Sequence, residues 1–257
     1  MSHRLVTSIT EKGFQQYGKD FIRTFRQFWP KSVKLTIYYE GETLRDDEEN
    51  IEWHWYEEVE DLQKWLDLIA PFPVMNGNVG HYDIQHDARH VRKALTEMHG
   101  LRQFGGKIYW ADMDIITHAK VTEDFLNSIL PDDKFCCYCG REGWMYSETG
   151  FIGFNANHPI YEPFVRAYRE VFFSGIIFTL QGWHDCYGFD LVRRVFKDSD
   201  AFNDLNKDLP KSMHPIVNSV LGSVIDHEKG GRKGKGSTRA DLVVERTEPY
   251  WLNARAS

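Results

Sequence analysis

The sequence predicts one α/β domain spanning 1–257, built on a mixed, mostly parallel sheet flanked by helices. Segments with strand-like and helix-like hydrophobic periodicity alternate along most of the chain. The most apolar strand, in Lys107-Ile-Tyr-Trp-Ala-Asp-Met-Asp114, runs into acidic residues at its carboxyl end. Open α/β sheets bind their ligands at that end. No internal repeat or low-complexity linker divides the 257 residues, a length that buries a sizeable core.

Each element has its own signal. Residues 4–9 read as a first strand, ending in polar Thr10, Glu11, Lys12 and Gly13. Over 16–29, Tyr17, Phe21, Ile22, Phe25, Phe28 and Trp29 recur at the spacing of one helix face, and Pro30 stops the helix. Residues 33–39 alternate and are rich in β-branched and aromatic side chains, which predicts a second strand. The acidic stretch 41–50 reads as a solvated loop. A short helix is expected over 58–69, closed by Pro71-Phe72-Pro73. Residues 87–99 form a helix with Val91, Ala94, Leu95 and Met98 inward, ended by Gly100. The 107–114 strand follows, then a helix over 121–130 before Pro131. Strands are expected at 134–140 and 150–155. A helix over 163–180, interrupted by Gly175, and another over 189–196 behind Gly188 complete the list.

Hydrophobic content of 42% and charged content of 27% are ordinary for a soluble globular protein. A net charge of -7 gives no general attraction to nucleic acid or anionic membrane. No apolar run approaches 18 residues, so no membrane span is expected. The start Met-Ser-His-Arg-Leu-Val lacks the apolar core of a signal peptide. A cytoplasmic location is therefore expected, the host cytoplasm if the chain is virus-encoded. Fourteen per cent aromatic residues, eight of them Trp, supply stacking surfaces for sugars or bases, or simply an aromatic-rich core. Cys136, Cys137 and Cys139 crowd one strand, where adjacent side chains point to opposite faces. With Cys186 far off and no Cys-x-x-Cys pair, all four read as reduced, mostly buried thiols.

Two patterns carry chemistry. Asp112 and Asp114 stand one residue apart at the end of an apolar strand, and two carboxylates cannot both be buried unpaired. A divalent cation with hard oxygen ligands, Mn²⁺ or Mg²⁺, resolves that cost and commonly holds substrate phosphates as well. A solvated strand-to-loop turn is the alternative. In the stretch 227–237, four basic residues and four glycines follow His227. Glycine lets main-chain amides approach a ligand and the cations add charge, a phosphate-cradling composition that lacks Walker A spacing. The same composition suits a solvated basic loop or a small nucleic-acid contact. His227 alone would be a surface histidine.

The order of these segments resembles glycosyltransferases of the GT-A fold, metal-dependent enzymes that use nucleotide-diphosphate sugars. The resemblance runs from about Leu5 to Ser237. It rests on Asp87-Ala-Arg-His-Val-Arg-Lys93, Tyr109-Trp-Ala-Asp-Met-Asp114, Tyr146-Ser-Glu-Thr-Gly-Phe-Ile-Gly-Phe-Asn155, Gly182-Trp-His-Asp185 and Asp226-His-Glu-Lys-Gly-Gly-Arg-Lys233. It implies a GT-A-like fold and a metal held by Asp112, Asp114 and His227. It implies a nucleotide sugar, a UDP-sugar foremost, against Thr7, Arg89, Lys93, Trp110, Ala111, Asp112, Met113, Lys229, Gly230 and Lys233. Thr149, Gly150, Trp183 and His184 would line the acceptor or sugar side.

The chemistry of such a transfer fits these residues. The departing diphosphate accumulates negative charge, which a metal and nearby cations stabilise. An acceptor hydroxyl must lose a proton, and Asp185 beside Trp183 is the expected base, with its pKa raised by partial burial. Asp185 equally suits the N-cap of the following helix. Glu148 is the second candidate base, or a carboxylate hydrogen-bonded to nearby amides. Without a base, front-side displacement with retention is open. Three functions follow: transfer to a small-molecule, glycan or lipid-linked hydroxyl; the same chemistry on a 5-hydroxymethylpyrimidine in DNA; or a non-catalytic nucleotide-sugar-binding domain. The presence of both aspartates and His227 speaks against the third.

Overall fold

The chain opens with strand β1 (His3–Thr10), whose side chains alternate between two buried faces. The structure, a computed structural model, describes residues 2–70, 84–141 and 143–254, without the side chains of 84–89. The expected helix stop at Pro71-Phe72-Pro73 and the side chain of Arg89 lie outside the described residues. After β1 come β2 (Lys34–Glu40), β3 (Ile51–Trp55), β4 (Lys107–Ala111), β5 (Ile115–Thr117), β6 (Cys136–Cys139), β7 (Glu148–Asn155), β8 (Phe202–Asp204) and β9 (Ile225–His227).

Seven of these form one sheet in the order β3-β2-β1-β4-β7-β6-β8, and β5 pairs with β9 in a small ribbon. β1 is parallel to both β2 and β4, β2 is parallel to β3, and β6 is parallel to β8. β7 runs antiparallel to β4 and β6. The mixed, mostly parallel sheet is the one expected. From β1 the chain moves outward to β2 and β3, then returns to place β4 on the opposite side of β1. That reversal opens a crevice beyond the carboxyl ends of β1 and β4. Because β7 runs the other way, its first residues, Glu148 to Gly150, arrive at the same end.

Strand alternation sorts the core into two halves. Ile108 and Trp110 of β4 join a cluster with Trp65, Leu95 and Phe164, packed by helices Glu60–Ile69, Ile84–Phe104, Tyr161–Phe173 and Asp185–Val195. Tyr109 and Ala111 face the other half with Phe21, Phe25 and Leu126, under helices Lys19–Phe28 and Glu123–Ile129. The cysteines split likewise, Cys136 to the first face and Cys137 and Cys139 to the second. All four are free thiols, three of them buried.

Several boundaries differ from expectation for identifiable reasons. The first helical stretch begins at Glu11, directly after β1. Thr10 accepts a hydrogen bond from the Gly13 amide, and a π-helical turn, Phe14–Gly18, leads into Lys19–Phe28. The helix expected to end at Gly100 continues from Ile84 to Phe104. A Cβ on Gly100 would lie 3.2 Å from Val6 of β1, so this glycine permits close helix-to-sheet packing rather than a stop. At Gly175, φ of +78° ends helix Tyr161–Phe173, and a 3₁₀ turn replaces the rest of the expected helix. The next helix starts at Asp185, four residues before the expected start, and Gly188 lies inside it against Tyr168. The short strands β3, β5, β8 and β9 had no separate signal.

Candidate metal and nucleotide site

β4 ends at Ala111, and the chain turns at once. The Asp112 amide donates to the Gly150 carbonyl at 2.7 Å, and Ile115 donates back to the Asp112 carbonyl at 3.0 Å. This tight turn separates β4 from β5 and turns both carboxylates into the crevice. The ribbon then sets Ile115 opposite His227, and Glu228 donates to the Asp114 carbonyl at 2.9 Å. His227 Nε2 therefore stands 3.2 Å from Asp114 Oδ1. Ligand atoms of Asp112, Asp114 and His227 all lie within 4.8 Å of one another. Gly150 makes room for the imidazole, since a Cβ there would sit 2.7 Å from His227 Cε1.

Cations surround this group. Lys93, on the long helix, is buried with Nζ 3.0 Å from Asp112 Oδ1 and 3.2 Å from Asp185 Oδ2, and it donates to the Thr149 carbonyl at 2.5 Å. Burial works to lower its pKa, but Asp112 and Asp185 raise it well above the ordinary lysine value. Trp110 Nε1 donates to the same Asp112 Oδ1 at 2.8 Å. Lys233 reaches Asp114 Oδ2 at 3.4 Å, and its ammonium also lies 4.7 Å from the centre of the Tyr17 ring. Burial works to raise Asp114, but His227 and Lys233 outweigh it and hold the carboxyl at about 2.

The crevice has a volume of about 310 Å³, within the range of small-ligand sites. Lys93, Trp110, Asp112, Met113, Asp114, Glu148, Thr149, His184, Asp185 and Lys229 line it, all expected from the sequence. Other expected residues act from behind the wall. Thr7 is fully buried and donates to the Ala111 carbonyl at 2.7 Å, so it fixes the end of β4, while the next residues, Ser8 and Ile9, line the crevice. Ala111 is buried beneath the turn. Gly150 packs under His227, and Trp183 lies edge-on to Phe178 among partly buried hydrophobics. Gly230, at φ of +65°, turns the loop that carries Lys229 and Lys233. Tyr17, His90, Arg141, Ser147 and Cys186 also line the crevice. Of these, His90 and Ser147 lie in segments that carried the resemblance, His90 three residues before Lys93 on one helix face.

Of the two candidate bases, Asp185 is in a different state from the one expected, and Glu148 fits its alternative as a carboxylate held by a nearby amide. Asp185 is the first residue of its helix, with His184 at the N-cap. It accepts from Thr149 Oγ1 at 2.6 Å and lies 3.5 Å from His90. Burial works to raise its pKa, but Lys93 and His90 outweigh burial and hold it far below the ordinary carboxylate range. Glu148 accepts from Lys229 at 2.8 Å and from the Gly150 amide at 3.1 Å. Burial works to raise it, and Lys229, His227 and Arg141 hold it at about 2. Neither carboxyl has the raised pKa expected of a base, because cations rather than apolar surface set its environment.

No protein-family model and no curated protein matches this chain. Among solved structures, it is similar to mouse xyloside xylosyltransferase 1 in its apo form. The identity is 11%, the TM-score is 0.48, and the match covers 80% of this chain and 85% of that one. It is also similar to an active-site mutant of LgtC, with 16% identity and a TM-score of 0.35, covering 60% of this chain and 57% of that one. No helix among the described residues is long and apolar enough to cross a membrane.

Proposed function

We propose that the chain is one GT-A-like catalytic domain, a metal-dependent glycosyltransferase that moves a sugar from a nucleotide-diphosphate sugar to an acceptor hydroxyl. The convergence of Asp112, Asp114 and His227 within 4.8 Å, ringed by Lys93 and Lys233 at a sheet switch point, carries this reading. Two carboxylates and an imidazole fit Mn²⁺ or Mg²⁺, with the imidazole favouring Mn²⁺. When bound there, the ion would supply Lewis-acid stabilisation of the diphosphate leaving group.

The chain's own residues account for the rest. From the basic loop Lys233 reaches Asp114 of the metal group and Lys229 reaches Glu148 at the crevice wall, and both would neutralise phosphate oxygens. Lys93 holds Asp112 and Asp185 in place. Asp185 and Glu148, kept ionised, present negative charge to the crevice and would stabilise the cationic sugar of a dissociative transition state. Each is ion-paired to a lysine, Asp185 to Lys93 and Glu148 to Lys229, and a carboxylate so paired is a weak base. The arrangement therefore favours front-side displacement with retention. The acceptor oxygen bonds to the anomeric carbon as the bond to the diphosphate breaks, and the acceptor's proton passes to a phosphate oxygen.

The test is incubation with a panel of nucleotide sugars and Mn²⁺, read by release of nucleotide diphosphate. The acceptors offered should be small glycosides and DNA carrying 5-hydroxymethylpyrimidine. Release should require Mn²⁺ or Mg²⁺ and vanish in a folded Asp114→Ala protein. Full activity in excess chelator would refute the assignment.

A further inference from the structure

We propose that Asp226, Ser237 and Tyr250 form a clasp that holds the basic loop over the donor site, making Asp226 a positioning residue. The loop's ligand rests on the reading above; the clasp itself rests on geometry. Successive residues of β9 point to opposite sides, so His227 meets Asp114 while Asp226 turns to Ser237 and Tyr250. Asp226 has no exposed surface, and its carboxylate takes three hydrogen bonds. Oδ2 accepts from the Ser237 amide at 2.7 Å and from the Tyr250 hydroxyl at 2.7 Å, and Oδ1 accepts from Ser237 Oγ at 2.6 Å.

Asp226 and Ser237 bracket the loop. Between them, glycines 230, 234 and 236 adopt positive φ, and the remaining backbone is joined by short-range turns such as Lys235 to the Arg232 carbonyl at 2.8 Å. Such a loop has little buried apolar surface of its own, and beyond its ion pairs to Glu148, Asp114 and Asp241 it depends on the tie at its ends to stay closed. The tie reaches the end of the described chain. Tyr250 stacks on His118, with ring centroids 4.1 Å apart, and Trp251 is buried and donates to the Gly222 carbonyl at 2.6 Å. The terminal segment thus anchors the residue that closes the loop carrying Lys229 and Lys233. If the closed loop is the binding-competent form, lowering its population weakens apparent donor affinity in proportion.

Hydrogen exchange of amides 228–236 and calorimetric binding of UDP with Mn²⁺ test the clasp together. Tyr250→Phe keeps the stack on His118 but deletes one charge-assisted hydrogen bond. It should speed loop exchange and weaken UDP by about tenfold. Exchange in β4 should not change, which separates positioning from general destabilisation. Ser237→Ala should act in the same direction. Asp226→Asn can keep all three bonds, because Ser237 Oγ can turn from donor to acceptor, and should retain near wild-type loop protection. Unchanged loop exchange in Tyr250→Phe and Ser237→Ala overturns the clasp, as does loss of affinity without faster loop exchange. Should the wild-type protein bind none of UDP, GDP or ADP with Mn²⁺, the donor reading falls, and the exchange comparison still judges the clasp.

Discussion

Lys93→Met tests the electrostatic centre of the site. The ammonium contacts Asp112 at 3.0 Å, Asp185 at 3.2 Å and the Thr149 carbonyl at 2.5 Å, while methionine keeps most of the side-chain volume. Removing one member of a buried ion pair costs about 3–5 kcal/mol, because the partner charge is stranded. Asp112, 32% exposed at its side chain, can find water, whereas Asp185 is only 6% exposed. The loss should therefore fall near the low end, about 3 kcal/mol, or a drop in Tm of about 6–12 °C for a chain of this size. Chemical denaturation at neutral pH measures it. Asp185→Asn added to Lys93→Met should recover about 1–3 kcal/mol relative to the sum of the two single changes. The pH dependence follows. Native Asp185 titrates below its unfolded value, so its stabilisation is present above about pH 4 and is lost as pH falls. That acid limb should shrink in Lys93→Met. Single-variant stability within about 0.5 kcal/mol of wild type, or strict additivity in the pair, would refute this account.

Two further predictions concern neighbours of that centre. Gly150→Ala places a methyl group 2.7 Å from His227 Cε1 and should push the imidazole off Asp114, weakening Mn²⁺ by about tenfold in a titration, with the fold retained. Unaltered Mn²⁺ affinity would mean the histidine is no ligand. Glu97 is buried, with Oε1 lacking a hydrogen-bond partner, and burial raises its pKa well above the ordinary value. Its native state thus favours the neutral acid, and stability falls as pH rises from the unfolded value near about 4.3 toward the native one. Glu97→Gln should therefore raise Tm at pH 7 and leave it nearly unchanged at pH 4; an equal gain at both would show that charge is not the cause.

The paired aspartates were legible because they follow an uninterrupted apolar strand, whereas Lys93 was legible only through the resemblance of its helix. The basic loop was legible from composition, but His227 was legible only through the resemblance. Tyr17 was not, since its place in the crevice depends on the helix beginning straight after β1. Arg141 and Ser147 lie in an irregular stretch between β6 and β7, where no periodicity reports which way a side chain points.

By itself the sequence determined the alternation of elements, the two faces of β4 and the acidic end of that strand. Those follow from local periodicity, a property of neighbouring residues. Only the tertiary structure decided that Gly100 passes under Val6 without ending its helix, that Thr7 turns inward beneath Ala111, and that Asp226 ties the loop to Tyr250. It also decided the surroundings of Asp185. The sequence shows Trp183 beside it and suggests a raised pKa, but the fold delivers Lys93 to within 3.2 Å. A pKa answers to what is near in space, and Lys93 is distant in the chain.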